Sequence, residues 1–201
     1  MPNIFKNLIL TLFFFLLFTG LSFGENSVLG FQEWLKSYKA NALSKGISQQ
    51  TIDIAFKNVK FLEKVIGYDR KQPEFYEDTI TYVSKRANLI RVKNANLLLR
   101  KNKTILSDVE DKFRVEKEIL LALWGIETNF GKHVGKMDII SSLATLSYDK
   151  RRRDFFSKKL LILLKLIDDK KVSPDNLFGS WAGAFGNFQF MPSTIKNYAI
   201  D

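Results

Sequence analysis

One acidic side chain in this sequence stands where an acid/base catalyst could work, at the end of an apolar helical run. Residues 119–131 read ILLALWGIETNFG, and Glu127 is the charged residue in that run. At 3.6 residues per turn, Leu120, Leu123 and Trp124 share the helix face of Glu127. A carboxylate that faces an apolar interior has its charged form penalised and holds a proton more readily, as a general acid requires. The alternative is an ordinary last-turn glutamate that reaches solvent or pairs with Lys132.

A second candidate region is an uncharged loop about fifty residues further on. Residues 179–192 read GSWAGAFGNFQFMP and combine small residues with aromatics. Flat sugar faces rest on aromatic rings, and amide or hydroxyl groups bind sugar hydroxyls and acetamides. The loop therefore predicts a sugar groove with Ser180, Asn187, Phe188 and Gln189 as binding residues. By spacing alone, a buried loop that packs helices together explains the pattern equally well.

The amino-acid composition excludes several other kinds of catalytic and metal-binding site. The sequence has no cysteine and one histidine, His133, so it excludes a thiol nucleophile, a disulfide and a cysteine or histidine metal cluster. His133 is predicted to lie in a surface loop. Asp138, Asp149 and Asp154 remain as second acids for a hydrolytic mechanism, and we interpret them as helix caps or surface charges.

The chain is strongly basic, with a net charge of +10. Such an excess favours a polyanionic partner: nucleic acid, anionic lipid headgroups or an acidic cell-wall polymer. The local cluster KRRR at residues 150–153 opens a predicted helix, where the dipole disfavours cations. Either an acidic ligand or a structural pairing with Asp149 or Asp154 accounts for it.

The elements that must position these residues are helical, because apolar residues recur at helical spacing almost throughout. The predicted joint before the central helix is at Arg114 and Val115, and that helix begins near Glu116. Five helices are predicted before it: one with the apolar stripe Phe31, Trp34, Leu35 and Tyr38 that ends at Gly46, one capped by Ser48, one from Phe75 to Lys85 with Pro73 in its first turn, and two over 89–99 and 105–113. After it, Asp138 is predicted to cap a helix over 139–146, and Ser193 is predicted to cap a last helix over 194–200.

The N-terminus has the order of a secretory signal. Lys6 precedes an apolar run over residues 8–23, and small residues follow it. We predict a signal peptide over residues 1–24 with cleavage after Gly24; an uncleaved N-terminal anchor is the alternative. Export counts against a nucleic-acid partner.

Several separated motifs together resemble the membrane-bound lytic transglycosylase B family. They are WGIETNFG at 124–131, SLATLS at 142–147 and the 179–192 loop, with RKQPEF at 70–75 resembling the family's N-terminal region. The resemblance implies a mainly α, lysozyme-like core of the goose-type lysozyme and transglycosylase kind over residues 115–201, preceded by a helical region over 25–114. It implies cleavage of the β-1,4 bond between N-acetylmuramic acid and N-acetylglucosamine, leaving a 1,6-anhydromuramic end. Glu127 matches the family's catalytic glutamate, Ser180 its active-site serine and Gln189 its sugar-contacting glutamine.

The same resemblance sets the expected partners and cofactors. Peptidoglycan glycan strands are the expected substrate, the periplasm the expected location, and a monomer the expected state. Association with an inner- or outer-membrane surface and with cell-wall synthesis partners stays open. No cofactor is expected, since the calcium loop of some members falls past the position of Asp201. Two other functions remain open: a non-catalytic peptidoglycan-binding or scaffold protein that keeps the groove, and a lysozyme-type hydrolase.

Overall fold

A computed structural model describes residues 27–71 and 77–200 of the chain. In those residues the chain forms ten helices and one pair of short antiparallel strands. The elements in chain order are α1 (Val28–Ser44), α2 (Gln49–Ala55), α3 (Glu63–Lys71), α4 (Thr79–Arg86), α5 (Leu89–Lys101), α6 (Lys103–Phe113), α7 (Lys117–Thr128), β1 (Met137–Asp138), α8 (Ile139–Tyr148), α9 (Arg153–Asp168), β2 (Phe178–Gly179) and α10 (Pro192–Tyr198).

The core is built around α8, which is buried along almost its whole length. Helix α9 packs against α8 with Leu160, Leu163 and Leu164, all fully buried. Helices α1, α2 and α3 pack on this pair, so residues from both ends of the chain share one hydrophobic core. The division into a helical region over 25–114 and a core over 115–201 therefore stays a prediction. The hydrophobic core contains residues from both sides of that boundary.

Several predicted helix boundaries are confirmed by their capping contacts. The Ser48 hydroxyl accepts the Thr51 N–H at 3.2 Å, and the Asp138 carboxylate accepts the Ser141 N–H at 2.7 Å. Each side chain thereby satisfies a backbone donor that the first turn leaves unpaired. Arg114 ends α6 in the left-handed conformation, with φ of 58°, which confirms the predicted joint before α7.

One helix was not predicted, and two predicted boundaries need correction. Helix α3 has no counterpart in the prediction, because five of its nine residues are charged and it offers few apolar positions. The predicted helix from Phe75 begins at Thr79 instead, since the Asp78 side chain caps Thr81 at 3.0 Å. The last helix begins at Pro192, whose fixed φ suits a first turn, so Ser193 lies inside that helix and is not its cap.

Several sequence predictions fall on residues that the structure does not describe: the signal peptide over residues 1–24, Pro73 as a first-turn residue, and the helix start at Phe75. Among the residues that the structure describes, no helix has the length and apolar content needed to cross a membrane.

The basic cluster is paired structurally. Asp69 of α3 is fully buried, and the guanidinium groups of Arg151 and Arg152 bind its carboxylate at 2.9 and 3.1 Å. Asp149 is also buried and receives two hydrogen bonds from Arg70, at 2.8 and 3.1 Å. Structural pairing is thus confirmed for Arg151 and Arg152, whose side chains bind Asp69. The Arg151 N–H also donates to the predicted partner Asp149 at 3.3 Å. Paired guanidinium groups are what allow two carboxylates to be buried here.

Candidate functional site

Helix α7 carries Glu127, and the helix is rotated from the predicted orientation. Its buried residues are Leu121, Gly125 and Thr128. Leu121 and Gly125 lie on the side of the helix that packs against α5 and α6, and Thr128 contacts the 179–192 loop. Glu127 is exposed, and Leu123 on the same face is 47% exposed. The prediction that Glu127 faces an apolar interior is therefore wrong. The alternative interpretation, a last-turn glutamate that reaches solvent, agrees with this exposure.

The end of α7 is set by three consecutive residues in the left-handed conformation. Asn129, Phe130 and Gly131 have φ of 50°, 60° and 82°. A Cβ at Gly131 would lie 2.8 Å from the Asn187 Oδ1, so any larger residue here would displace the Asn187 side chain. The chain consequently turns sharply after Glu127 and brings its backbone against the 179–192 loop.

Two side chains of α7 bind the loop at one residue, and we call these contacts the Asn187 latch. The Trp124 indole N–H donates to the Asn187 side-chain oxygen at 3.2 Å. The Thr128 hydroxyl donates to the Asn187 carbonyl at 2.8 Å and accepts the Gly131 N–H at 2.9 Å. Glu127 lies between Trp124 and Thr128 on the helix, so the latch fixes the backbone on both sides of the candidate acid.

The loop itself is ordered by strand-like pairing. Gly179 in β2 pairs with Met137 in β1 and bridges to Phe185, which bridges in turn to Phe190. A Cβ at Gly179 would lie 2.1 Å from the Ala184 carbonyl oxygen, so only glycine permits this approach. The loop is therefore a compact folded unit and not an extended connection.

Ser180 is half-buried at the start of this unit. Its N–H donates to the Ala184 carbonyl at 2.8 Å, and its hydroxyl oxygen accepts the Ala184 N–H at 3.0 Å. A hydroxyl has one proton to donate in addition to its acceptor positions. Because Ala184 uses only the oxygen, the Ser180 proton remains available to a ligand.

Gln189 has its side-chain amide fixed by two backbone carbonyls. The Nε2 atom donates to Val134 at 2.9 Å and to Gly186 at 3.0 Å. Both partners are acceptors, so the amide nitrogen must face them and both of its protons are used. The oxygen of the Gln189 amide is the group left to bind a ligand.

Asn187 and Phe188 have structural contacts of their own. The Asn187 oxygen is held by the latch, which leaves its amide nitrogen as the ligand-binding group. Phe188 stacks on Phe190 with ring centroids 5.9 Å apart. Phe188 also lines a cavity of about 290 Å³ with Trp124 and residues of α6 and α7.

The structure thus links α7 to the loop of Ser180 and Gln189 through Asn187. Sequence reasoning missed Trp124 and Thr128 as linking residues, and it missed the Val134 carbonyl that holds Gln189. The four-residue spacing of Trp124 and Thr128 places both on one helix face and is the signal that could have found them.

The alternative acids have other roles. Asp138 caps α8 and Asp154 is exposed, as predicted. Asp149 is the C-terminal cap residue of α8, as predicted, and its N–H donates to the Thr145 carbonyl at 3.0 Å. Its carboxylate is not a surface charge, because it is buried and binds Arg70. His133 is exposed in a loop, as predicted. Within residues 27–71 and 77–200, no group of three or more His, Cys, Asp or Glu side chains is arranged to hold a metal ion.

A buried helical core, with a glutamate at the end of one helix latched to a glycine- and aromatic-rich loop, defines a mainly α protein of the lysozyme-like fold class. The chain belongs to the family of the transglycosylase SLT domain, whose model matches residues 30–201. Membrane-bound lytic murein transglycosylase B of Escherichia coli (strain K12) is 39% identical over 111 residues, which cover 55% of this chain and 31% of that protein. The resemblance predicted from the motifs is confirmed.

Solved structures confirm the fold class. SltB3 from Pseudomonas aeruginosa, in complex with NAG-NAM-pentapeptide, matches with a TM-score of 0.81 and 37% identity over 85% of this chain and 46% of its own. The Escherichia coli lytic transglycosylase Slt35, in complex with bulgecin A, matches with a TM-score of 0.72 and 30% identity over 83% of this chain and 54% of its own. The chain spans about half the length of these structures.

Proposed function

We propose that this protein is a lytic transglycosylase that cleaves peptidoglycan between N-acetylmuramic acid and N-acetylglucosamine. Family membership supports the reaction class, and a relative 37% identical in sequence is described in complex with NAG-NAM-pentapeptide and with NAG-anhNAM-pentapeptide. These two ligands have the composition of a substrate and of a 1,6-anhydro product. The single observation in this chain that carries the proposal is the Asn187 latch, which joins the helix of Glu127 to the loop of Ser180 and Gln189.

In the proposed mechanism one carboxyl group serves as acid and then as base. Protonated Glu127 donates its proton to the glycosidic oxygen as the bond from that oxygen to C1 of the muramic acid breaks. The Glu127 carboxylate then takes the proton of the 6-hydroxyl as O6 bonds to C1. Because the nucleophile belongs to the same sugar, its proximity replaces the second carboxylate that most glycosidases use. Glu127 faces solvent in the free protein, so bound substrate is the group that excludes water around it.

The loop residues supply binding contacts in the same proposal. The Ser180 hydroxyl proton donates to a sugar oxygen. The Gln189 amide oxygen accepts the acetamide N–H, since its nitrogen is already engaged. Phe188 provides an apolar surface for a sugar face, and the Asn187 amide nitrogen donates to a hydroxyl. Each assignment uses the atom that internal hydrogen bonds leave available.

Digestion of purified sacculi tests the proposal. The wild-type protein should release muropeptides with 1,6-anhydromuramic ends, detected by mass spectrometry. Glu127→Gln should reduce release by at least about 10³-fold and leave the thermal unfolding midpoint unchanged, because the amide keeps the shape and lacks the acidic proton. Glu118→Gln, an exposed glutamate on the same helix, is the matched control and should retain activity. Reducing muramic ends would replace the proposal with a lysozyme-type hydrolase.

A second candidate is a protein that binds peptidoglycan without cleaving it. The exposure of Glu127 favours this function, since acid/base catalysis is most effective in a site that excludes water, and Glu127 is open to solvent in the free protein. Pelleting with sacculi, with no soluble muropeptide released by the wild-type protein, would support binding alone. Release that Glu127→Gln abolishes would exclude it.

Cellular placement follows from the proposed substrate. We propose a monomeric protein exported to the periplasm by residues 1–24, with peptidoglycan glycan strands as its partner. Fractionation of cells that express the chain, with N-terminal sequencing of the product, measures both export and the cleavage position. A cytoplasmic product that retains residues 1–24 would contradict this placement.

A further inference from the structure

The longest acid-free stretch of the described chain lies in α4, α5 and the start of α6. Residues 79–107 carry seven basic residues and no acidic one: Lys85, Arg86, Arg91, Lys93, Arg100, Lys101 and Lys103. Glu77 binds the first two of these, Lys85 and Arg86. Lys93 and Arg100 meet no carboxylate among the described residues, so the positive charge is concentrated on α5.

Helix α5 also exposes large apolar side chains on its outer face. Leu89 is 86% exposed, Ile90 75% and Leu97 51%. Helical spacing places Leu89, Lys93 and Arg100 on one stripe, with Leu97 and Ile90 at its edge. None of the residues of α5 is buried, although its opposite side faces α7. The outer face therefore alternates apolar side chains with cations.

The combination of cations and exposed apolar side chains on α5 favours a lipid surface over other polyanions as the partner. Lysine and arginine near a membrane are attracted to anionic headgroups, and adjacent apolar side chains enter the acyl boundary. A soluble acidic polymer would attract the cations and gain nothing from Leu89 or Ile90. Long basic side chains also let their charged ends stay at headgroup level while their stems lie beside apolar neighbours.

We propose that the outer face of α5, formed by Leu89, Ile90, Lys93, Leu97 and Arg100, docks on the surface of a bilayer that contains anionic lipid. The helix lies in the plane of the interface. Leu89 and Ile90 also line a cavity of about 730 Å³ with Asn129 and Lys132, so this surface borders the end of α7. The proposal does not depend on the proposed catalytic function. The surface places the protein on a membrane through its own fold.

The absence of cysteine allows a site-specific test on the full chain. Leu97→Cys on α5 and Ile54→Cys on α2, which is 48% exposed, form a matched pair for a polarity-sensitive fluorophore. With vesicles of phosphatidylglycerol and phosphatidylethanolamine, lipids carrying a quencher in the acyl chain should quench the label at 97 and not at 54. Comparing two positions in one protein removes any contribution of the apolar residues 8–23, which both variants share.

Charge reversal tests the electrostatic part. Lys93→Glu with Arg100→Glu should weaken vesicle binding through α5 by at least about 25-fold, since each cation near an anionic surface contributes roughly fivefold. Lys57→Glu with Lys64→Glu, exposed cations outside α5, is the control and should leave the quenching at 97 intact. Circular dichroism checks that each variant is folded.

Three results would overturn the proposal. The first is equal quenching, or none, at positions 97 and 54. The second is binding to soluble polyglutamate that is as tight as binding to vesicles and unchanged in Leu89→Ser with Ile90→Ser, which would assign the face to an acidic polymer. The third is concentration-dependent dimerisation that the same double variant removes, which would assign the face to a second copy of the chain.

Discussion

At the scale of single residues, hydrogen bonds within the protein orient the side chains of the candidate site. Gln189 and Asn187 each have one end of the amide held by the protein, so the protein decides which end meets a ligand. Thr128 does more, because its buried hydroxyl both donates to Asn187 and accepts from Gly131. Removing it would take this partner away from the Asn187 carbonyl and from the Gly131 N–H, so two hydrogen bonds would be lost.

Thr128→Val should therefore destabilise the protein by about 1–3 kcal/mol and lower kcat for muropeptide release by roughly tenfold, with KM less affected. The valine keeps the shape of threonine and loses the hydroxyl that holds the loop to α7. Denaturant unfolding and initial rates on sacculi measure the two effects. Thr128→Ser should restore both.

Thr145 provides the control, since its buried hydroxyl accepts the Leu62 N–H at 3.0 Å in the core. Thr145→Val should produce a similar loss of stability with kcat unchanged. If both valine variants lower kcat alike, Thr128 acts only through general stability, and its positioning role is wrong.

At the scale of elements, α9 is joined to α2 by one carboxylate. Asp168 Oδ1 accepts hydrogen bonds from the Ser48 hydroxyl, the Ser48 N–H and the Thr51 hydroxyl, at 2.5, 3.3 and 2.8 Å. These bonds to the charged form lower the pKa of Asp168, with the Ser48 hydroxyl the largest cause. The cap of α2 therefore extends into a tertiary contact.

This contact predicts a dependence of stability on pH. A carboxyl whose pKa is lowered in the folded state contributes stability that is present above its unfolded pKa of about 3.9 and is lost as pH falls through the folded value. Asp168→Asn should lower the free energy of unfolding most at pH 7, and the difference from wild type should shrink below about pH 4. Urea unfolding between pH 2 and 7 measures it. Asp175→Asn, an exposed aspartate, should give a small difference at every pH, and a constant difference for Asp168→Asn would contradict the linkage.

The elements also show what local sequence determines. The caps by Ser48 and Asp138 were predictable, because a cap is a contact between residues three apart. The orientation of α7 was not, because apolar residues occur around most of this helix and the choice of buried face depends on α5 and α6. The exact start of α10 was missed by two residues, since proline and serine both signal a first turn.

At the scale of the whole molecule, burial is uneven. Helices α1, α2, α8 and α9 share the main core, whereas the described residues of α4 and α5 include none that are buried. Which segments share the core could not be read from the sequence, because the pairing of residues 27–71 with 137–177 is a contact between distant parts of the chain. The resemblance to a known family supplied the lysozyme-like fold that local patterns left open.

This distribution predicts an order of local opening. Amide protons of α8 and α9 should exchange only through global unfolding, and those of α4 and α5 should exchange at least roughly tenfold faster. Hydrogen exchange followed by mass spectrometry on the full chain measures both. Equal protection of α5 and α9 would show that packing from outside the described residues stabilises α5 in solution.

The Asn187 latch consists of an indole, a hydroxyl, an amide and a peptide carbonyl. None of these groups ionises between about pH 2 and pH 9. In the proposed mechanism Glu127 alternates between its neutral and its negative form in every turnover. If ion pairs held the end of α7, their strength would change each time the charge of Glu127 changed. The hydrogen bonds of the Asn187 latch join uncharged groups, so their strength depends little on the charge of Glu127. The end of α7 can therefore keep one geometry in both protonation states of the candidate acid.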